Sequence, residues 1–301
     1  MEQIRRVLAR WNITEFSVTE RYHEQTERIL CRIETTERAY FLRGIPREKG
    51  EDIVQGNVLA HSYLGNQNHM APMIFPTQEG RDYISDGEHC FYLTEYIDGK
   101  NLEETEADEY ALGRLTAKLH GLKGYTHQAG LNFDKARFYG WFTEKPFKAE
   151  FDSILDGLPD FSKQEQCFIH SDLGPHNAMR RKNGEVVFID LDDAGIGPKY
   201  LDLGWAFIMQ FVDFDHETEE MRYRFDLARS FLRGYYGKRT ISRSEYDTIW
   251  QGAVFMHISY MQTYGPYAVD SLWKILQYGM ARKEELWDML CSTDSPDQEL
   301  S

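Results

Sequence analysis

The stretch that decides the fold of this 301-residue chain is FIHSDLGPHNAMRRKNGEVVFIDLDDAGIGPKYLDLGWAF, residues 168–207. A short apolar strand leads into a loop that carries Asp172 and Asn177, and the turn at 182–184 then predicts a hairpin. The second hairpin strand ends at Asp190, 18 residues after Asp172. This separation is long enough for a loop and a hairpin, so the two carboxylates can converge on one point.

The side chains of this stretch suit phosphoryl transfer from a nucleotide. That reaction requires a carboxylate that orients the attacking hydroxyl and accepts its proton, and oxygen ligands that hold Mg²⁺ on the phosphates. Asp172 is the candidate base, and Asn177 and Asp190 are the candidate metal ligands. An isolated Asp172 would be interpreted as a cap or turn residue, but the ordered arrangement favours the catalytic interpretation.

The stretch resembles the catalytic core of the aminoglycoside phosphotransferase and choline kinase-like family, whose members are related to the protein kinases. That family carries an H-x-D-x-x-x-x-N loop followed by I-D-x-D-D-x-x-x-G-P-x-x-x-D-L. The eleven matched positions are His170, Asp172, Asn177, Ile189, Asp190, Asp192, Asp193, Gly197, Pro198, Asp202 and Leu203. The resemblance implies a bilobal, protein-kinase-like α+β fold with ATP and Mg²⁺ as cofactors, and it leaves GTP open as the nucleotide.

The resemblance also implies the residues that bind the nucleotide. In YLTEYIDG, residues 92–99, the backbone carbonyl of Glu95 and the N–H of Ile97 would meet the adenine edge. In YFLRGI, Arg43 takes the place of the cation that holds the α- and β-phosphates. Its carboxylate partner on the next helix is expected to be Glu51, although helix length favours position 55, where an uncharged Gln stands.

One departure from the family concerns the loop that covers the phosphates. A glycine-rich turn would let backbone N–H groups approach the phosphates, but the segment from Thr14 to Glu37 contains no glycine. We expect this loop around residues 21–25, with a different chemistry.

Three further positions have structural interpretations. We expect His170 to anchor the catalytic loop by binding the backbone near Asp190, and Asp202 to hold that loop from below. His176 is interpreted as a loop residue. A metal or acid–base role stays open for His176.

Hydrophobic periodicity divides the chain. Alternating β-rich runs over 24–43 predict a hairpin, a helical stretch follows over 48–64, and strand-like runs cover 81–84 and 89–97. Beyond the Asp-Gly-Lys break at 98–100 the pattern becomes helical and continues to about residue 290, apart from one short β interruption over 165–193. We predict an antiparallel N-lobe over 1–97 and a mostly helical C-lobe over 98–301 that carries the catalytic loop and the acceptor site.

Composition narrows the classes of partner. The chain is 42% hydrophobic and 28% charged, with a net charge of −15, which is typical of a folded protein and disfavours nucleic acids as partners. Four scattered cysteines, no apolar run that could span a membrane and no signal-like start predict a cytoplasmic protein with reduced thiols. Residues 98–301 carry −11 of the charge, including the run DFDHETEE at 213–220, which favours a cationic acceptor or serves solubility.

The sequence therefore predicts an enzyme, a kinase that moves the γ-phosphate to a hydroxyl of a small, cationic, aminoglycoside- or choline-like molecule. Two alternatives stay open. The first is a Ser/Thr protein kinase of the same fold, and the second is a catalytically weak nucleotide-binding pseudoenzyme, which the missing glycines suggest. Retention of Asp172, Asn177 and Asp190 together disfavours the pseudoenzyme. The acceptor and the oligomeric state are not predicted.

Overall fold

The computed structural model describes residues 1–22, 28–49, 51–215 and 217–292. Its strands are β1 Ser17–Tyr22, β2 Ile29–Glu34, β3 Ala39–Pro46, β4 Ile74–Phe75, β5 Ile84–Asp86, β6 His89–Glu95, β7 Gly99–Asn101, β8 Gln166–Ile169, β9 Ala178–Arg181, β10 Val186–Phe188, β11 Gly195–Pro198, β12 Val212–Phe214 and β13 Met221–Tyr223. Its α-helices are α1 Glu2–Leu8, α2 Glu51–His61, α3 Glu106–Gly121, α4 Lys148–Gly157, α5 Lys199–Met209, α6 Phe225–Tyr236, α7 Arg243–Met280 and α8 Lys283–Cys291.

The N-terminal part is an antiparallel sheet in the order β1-β2-β3-β6-β4, with β5 paired to β6. Successive side chains of a strand point to opposite faces, so Leu42 packs with α1 while Ile45 packs with α2. Arg43 lies opposite Tyr92 in the β3–β6 register, at the centre of the sheet. The hairpin expected over 24–43 is confirmed as β2 and β3, and the helix expected over 48–64 is confirmed as α2.

The C-terminal part is mostly helical. α3 packs against α6 and α5 packs against α7, around one large apolar core. Gly204 permits the α5–α7 contact, because a Cβ there would lie 2.3 Å from the backbone nitrogen of Ala253. The backbone of α7 is non-helical at Ala268 (φ −146°, ψ 21°), so the helix is kinked there. The fold class is thus α+β, as the sequence predicts.

Small sheets connect these helices to the site. β7, β9 and β10 form one sheet and β8 pairs with β11, which places the catalytic loop between them. Cys31, Cys90 and Cys167 are buried, and Cys291 is exposed. No helix within the described ranges combines the length and the apolar character that crossing a bilayer requires.

The expectation of continuous helices after residue 200 is wrong at one place, where β12 and β13 form a hairpin. The acidic run at 213–220 supplies its connection. Oδ1 of Asp215 accepts hydrogen bonds from the backbone N–H groups of Glu217 and Thr218, at 2.8 and 3.1 Å. These bonds stabilise a turn, because N–H groups bound to a side chain are not used for the backbone hydrogen bonds of a helix.

Candidate active site

The catalytic loop starts where β8 ends and is held from two sides. Nε2 of His170 donates to the carbonyl oxygen of Ile189 at 2.9 Å, so its expected role as an anchor is confirmed. The fully buried carboxylate of Asp202 accepts the backbone N–H groups of His170 and Ser171, each at 2.8 Å. The expected role of Asp202, which is to hold the catalytic loop from below, is therefore also confirmed.

Within this loop, Asp172 and Asn177 contact each other. Nδ2 of Asn177 donates to Oδ2 of Asp172 at 2.8 Å and to its backbone carbonyl at 2.9 Å, so Oδ1 of Asn177 is the atom that can bind a cation. Nε2 of His176 lies 3.9 Å from Oδ2 of Asp172. Burial by itself raises the pKa of Asp172, but the nearby His176 and His170 and the hydrogen bond from Asn177 lower it below its ordinary value. Asp172 is therefore ionised at neutral pH, as a proton acceptor must be.

Arg43 reaches across the cleft from β3. Its Nη2 donates to Oδ1 of Asp190 at 3.1 Å and to Oδ1 of Asp192 at 3.0 Å. Burial by itself lowers the pKa of Arg43, but Tyr92 and the two carboxylates raise it above its ordinary value. For Asp190 burial acts in the other direction and raises the pKa. The charge and the hydrogen bond of Arg43 outweigh the effect of burial, so the pKa of Asp190 is lowered. Arg43 and Asp190 therefore both keep their charges.

The expected ion pair between Arg43 and Glu51 is not formed in this structure. Glu51 pairs instead with Arg47 at 3.4 Å, and both side chains are about half exposed. The reason is the orientation of α2, which turns Val54 and Val58 towards the sheet and leaves Glu51 and Gln55 on the outer surface. Neither of the two positions considered for the partner of Arg43 therefore faces it.

Arg28, and the contacts of Asp192 with two arginines, were not predicted from the sequence. Asp192 was expected only as a motif position and as the metal ligand next in line after Asp190, and Arg28 was not singled out, yet Nη2 of Arg28 lies 2.8 Å from Oδ2 of Asp192. The position of Arg28 inside the glycine-free segment from Thr14 to Glu37 was the available signal. Burial raises the pKa of Asp192, and the charges of Arg43 and Arg28 oppose that shift.

These groups surround one end of a cavity of about 300 Å³ between the two parts of the chain. Its lining residues on the sheet side and the hinge side are Leu30, Phe41, Arg43, His61, Pro72, Thr94, Glu95, Tyr96 and Ile97. Asn101, Asn177, Met179, Ile189 and Asp190 line the opposite side. The cavity thus brings together Arg43, Asn177, Asp190, Glu95 and Ile97. It has an apolar half near the hinge and a charged half near Asp190.

His61 was also missed, because a lone histidine on a helix carries no motif. It is 2% exposed, and its Nδ1 donates to the carbonyl oxygen of Pro72 at 3.1 Å. Burial and the nearby charge of Arg43 lower the pKa of His61 to about 4. The imidazole of His61 is therefore uncharged at neutral pH, and it lines the cavity next to Arg43.

The side chain of Glu95, for which the sequence predicts no role, joins the hinge to the C-terminal part. Both of its oxygens accept hydrogen bonds from Arg181, with Nη2 at 2.9 Å from Oε2. A bidentate pair between a guanidinium and a carboxylate restricts orientation as well as distance. The pair fixes the end of β6 against β9, next to the cavity.

The residues at the charged end suit Mg²⁺. Asn177 and Asp190 offer an amide oxygen and a carboxylate, which are hard ligands, and both line the cavity. Among the residues that the structure describes, no three His, Cys, Asp or Glu side chains are placed to hold a metal by themselves. Mg²⁺ is usually bound by one or two protein ligands together with substrate phosphates and water, so two ligands at a phosphate site fit it. The phosphate-covering loop expected around 21–25 lies largely outside the described residues.

The sequence matches the model of the phosphotransferase enzyme family over residues 31–237, which include the catalytic loop, the hinge and Arg43. A search of curated protein sequences finds no match. Many solved structures share the fold, and three of them show the range of similarity. A microcompartment-associated aminopropanol kinase is 17% identical with a TM-score of 0.62, covering 95% of this chain and 97% of that one.

The choline kinase LicA from Streptococcus pneumoniae is 15% identical with a TM-score of 0.61, and 96% of this chain and 98% of that chain are covered. Spectinomycin phosphotransferase, solved with ADP and spectinomycin, is 15% identical with a TM-score of 0.59, and 98% and 94% of the two chains are covered. At these identities the likeness concerns the fold, and it confirms the expected protein-kinase-like architecture over nearly the whole chain.

Proposed function

The chain belongs to the phosphotransferase enzyme family, and from this premise we propose that it transfers the γ-phosphate of ATP to a hydroxyl group of a small cationic molecule, with Mg²⁺ as cofactor. The observation that carries the proposal is the cavity, whose apolar half suits a base and whose charged half suits phosphates. Asp172 lies beside that charged half through its hydrogen bond with Asn177.

The nucleotide would lie along the cavity. Leu30 and Phe41 on one side and Met179 and Ile189 on the other form apolar walls for the adenine. The backbone carbonyl of Glu95 and the N–H of Ile97 would meet its polar edge. This orientation puts the phosphates at Arg43, because Arg43 lines the end of the cavity away from the hinge. Apolar walls contact the faces of a purine ring and would accept guanine as well as adenine. The acceptor screen therefore includes GTP as a second nucleotide.

At the phosphate end, Asn177 and Asp190 would hold Mg²⁺. The ion neutralises part of the phosphate charge and fixes the orientation of the transferred group. Asp172 would accept a hydrogen bond from the acceptor hydroxyl and then its proton. The hydroxyl oxygen forms the new bond to the γ-phosphorus, the bond from that phosphorus to the bridging oxygen breaks, and ADP leaves.

A cationic acceptor is favoured by charge. Residues 98–301 carry −11, and their field attracts cations to that part of the molecule. Two structural neighbours are named as kinases of aminopropanol and of choline, and both molecules are small cationic alcohols. Asp213 is a weaker candidate for a direct contact, since its Oδ2 lies 3.8 Å from Nη1 of Arg224, which offsets its charge.

The test is an acceptor screen that measures ADP or GDP release by the full chain with Mg²⁺. The panel contains amino alcohols, choline, aminoglycosides, neutral polyols and a Ser/Thr peptide mixture, and each product is verified by its added phosphate mass. We expect turnover with a cationic alcohol and a KM for it that rises with salt, because screening shortens the field to about 8 Å at physiological ionic strength.

The matched variants are Asp172→Asn and Asp288→Asn, the latter an exposed carboxylate on α8. Asp172→Asn should lose about 10²- to 10⁴-fold in turnover while its ATP affinity changes little, and Asp288→Asn should behave like the wild type. Full turnover in Asp172→Asn would exclude it as the base. Nucleotide binding without any acceptor-dependent product across the panel would favour the pseudoenzyme alternative, and a peptide product would favour a protein kinase.

A further inference from the structure

Two arginines from the sheet converge on one buried carboxylate at the phosphate end of the cavity. Nη2 of Arg43 lies 3.0 Å from Oδ1 of Asp192, and Nη2 of Arg28 lies 2.8 Å from its Oδ2. The side chains of Arg28 and Asp192 are 20% and 15% exposed, so this is a built cluster and not a solvated surface pair. Arg43 and Asp190 of the same cluster line the cavity.

The register of the sheet shows where Arg28 lies along the cleft. Leu30 is opposite Arg43 and Tyr40 is opposite Glu95, so the hinge is at one end of this face and Arg43 is further along it. Arg28 comes two residues before Leu30, on the same face, and about 7 Å further from the hinge at the usual rise per residue. A chain of phosphates that extends from the base past Arg43 would therefore approach Arg28.

The segment that precedes Arg28 lacks the usual means of binding those phosphates. Backbone N–H groups can approach a phosphate closely where glycine leaves room, but residues 14–37 contain no glycine. A guanidinium offers a planar fork of N–H donors that binds phosphate in a bidentate manner. Arg28 brings such a fork to this glycine-free segment.

We propose that Arg28 is a phosphate-binding residue, and that Arg28 and Arg43 together bind the triphosphate in place of a glycine-rich loop. Asp192 is the positioning residue that holds both guanidiniums at the phosphate end before the nucleotide arrives. Both carboxylate contacts of Arg43 use Nη2, so the pair with Asp192 can persist while other N–H groups of Arg43 meet phosphate oxygens. This inference rests on the proposed function.

A purely structural role for Arg28 makes a different prediction. If Arg28 contributes only to the stability of the fold, its loss affects the affinity for every nucleotide by the same factor. If Arg28 binds the outer phosphates, its loss weakens ATP binding and leaves AMP binding nearly unchanged. The ratio of ATP to AMP affinity therefore separates the two roles.

The experiment is calorimetric titration of the full chain with AMP, ADP and ATP in the absence of divalent metal and again with Mg²⁺. The variants are Arg28→Gln, Arg28→Lys and the control Arg47→Gln, whose arginine is half exposed and pairs with Glu51 outside the cleft. We expect Arg28→Gln to lower the ratio of ATP to AMP affinity by about ten- to a hundredfold, the usual effect of a lost hydrogen bond to a charged group. Arg28→Lys should lower it by a smaller factor, and Arg47→Gln should not change it.

An unchanged ratio in Arg28→Gln, or an equal loss for AMP and ATP, overturns the inference and leaves the proposed function intact. A wild-type chain that binds none of these nucleotides overturns the proposed function itself. If Arg28→Gln fails to give a cooperative thermal transition, Arg28→Lys decides, because it keeps the charge beside Asp192. A ratio in Arg28→Lys equal to that of the wild type then rejects phosphate binding by Arg28.

Discussion

Oδ1 of Asp202 accepts a 2.8 Å hydrogen bond from the backbone N–H of Ser171, a residue held at φ +73°. Serine rarely adopts this left-handed region, so the surrounding contacts must hold it there. Asp202 comes from α5, and its Oδ2 also accepts from the backbone of His170 and lies 3.2 Å from Nε2 of His120. The helix thus fixes the strained turn from which Asp172 projects.

The first prediction concerns this contact. Asp202→Asn places an amide N–H₂ where a backbone N–H now donates, which leaves a buried donor unpaired at a cost of about 1–3 kcal/mol. We expect lower stability in urea and a lower kcat, although Asp202 touches no substrate, because Ser171 relaxes and moves Asp172. Asp288→Asn serves as the control. A variant with wild-type kcat at a temperature where it stays folded would show that the strained turn is dispensable.

The second prediction concerns the metal ligand. Asp190→Ala removes the carboxylate that lies next to Arg43 and lines the cavity, so Asn177 loses the other proposed Mg²⁺ ligand. We expect Mg²⁺ to lose its enhancement of ATP binding, measured as the ratio of ATP affinities with and without Mg²⁺, together with most turnover. A wild-type ratio in this variant would move the metal site, and Asp192 would be the next candidate.

Much of the fold could be predicted because local patterns determine it. The alternating runs of β2 and β3, the helical spacing in α3 and the ordered motif from His170 to Leu203 each specify an element or a loop within a few tens of residues. β12 and β13 were missed because three-residue strands are too short to show a period. The boundary between residues 97 and 98 stays a prediction.

The partners of Arg43 could not be predicted, because they depend on tertiary packing. Arg43 and Asp190 are separated by 147 residues, and their contact requires the end of β10 to arrive beneath β3. The choice between Glu51 and position 55 assumed that α2 turns one of them inwards, but the apolar Val54 and Val58 take that face. Burial of apolar side chains outweighs the gain from a surface-accessible ion pair.

The third prediction concerns pH and His176. The nearby His176, whose Nε2 lies 3.9 Å from Oδ2 of Asp172, helps to lower the pKa of Asp172 against the opposing effect of burial. A base is active when deprotonated, so kcat/KM of the wild type should decline only below the ordinary aspartate range near 4. His176→Gln should raise the pKa of Asp172 and move this decline to higher pH, whereas His69→Gln, an exposed histidine, should not. Superimposable profiles between pH 4 and 8 would contradict this role.

The last prediction concerns Glu109, which is fully buried in α3. Nε2 of Gln210 donates to its Oε1, while Oε2 of Glu109 and Oε1 of Gln210 have no hydrogen-bond partner among the described residues. Burial raises the pKa of Glu109 from 4.5 to about 8. The carboxyl group is therefore protonated at neutral pH, and its O–H can donate a hydrogen bond inside the core, as a buried polar group requires.

The sign of the pH effect follows from proton binding. Between pH 4.5 and about 8 the unfolded chain has released this proton and the folded chain retains it, so the free energy of unfolding falls as pH rises, by at most about 1.4 kcal/mol per unit. Glu109→Gln removes this titration, and we expect its stability relative to the wild type to increase from pH 5 to pH 8 and then to level off. Urea denaturation at each pH measures the difference, with the exposed Glu103→Gln as control. Parallel curves for wild type and Glu109→Gln across this window would mean that Glu109 is ionised in the folded protein.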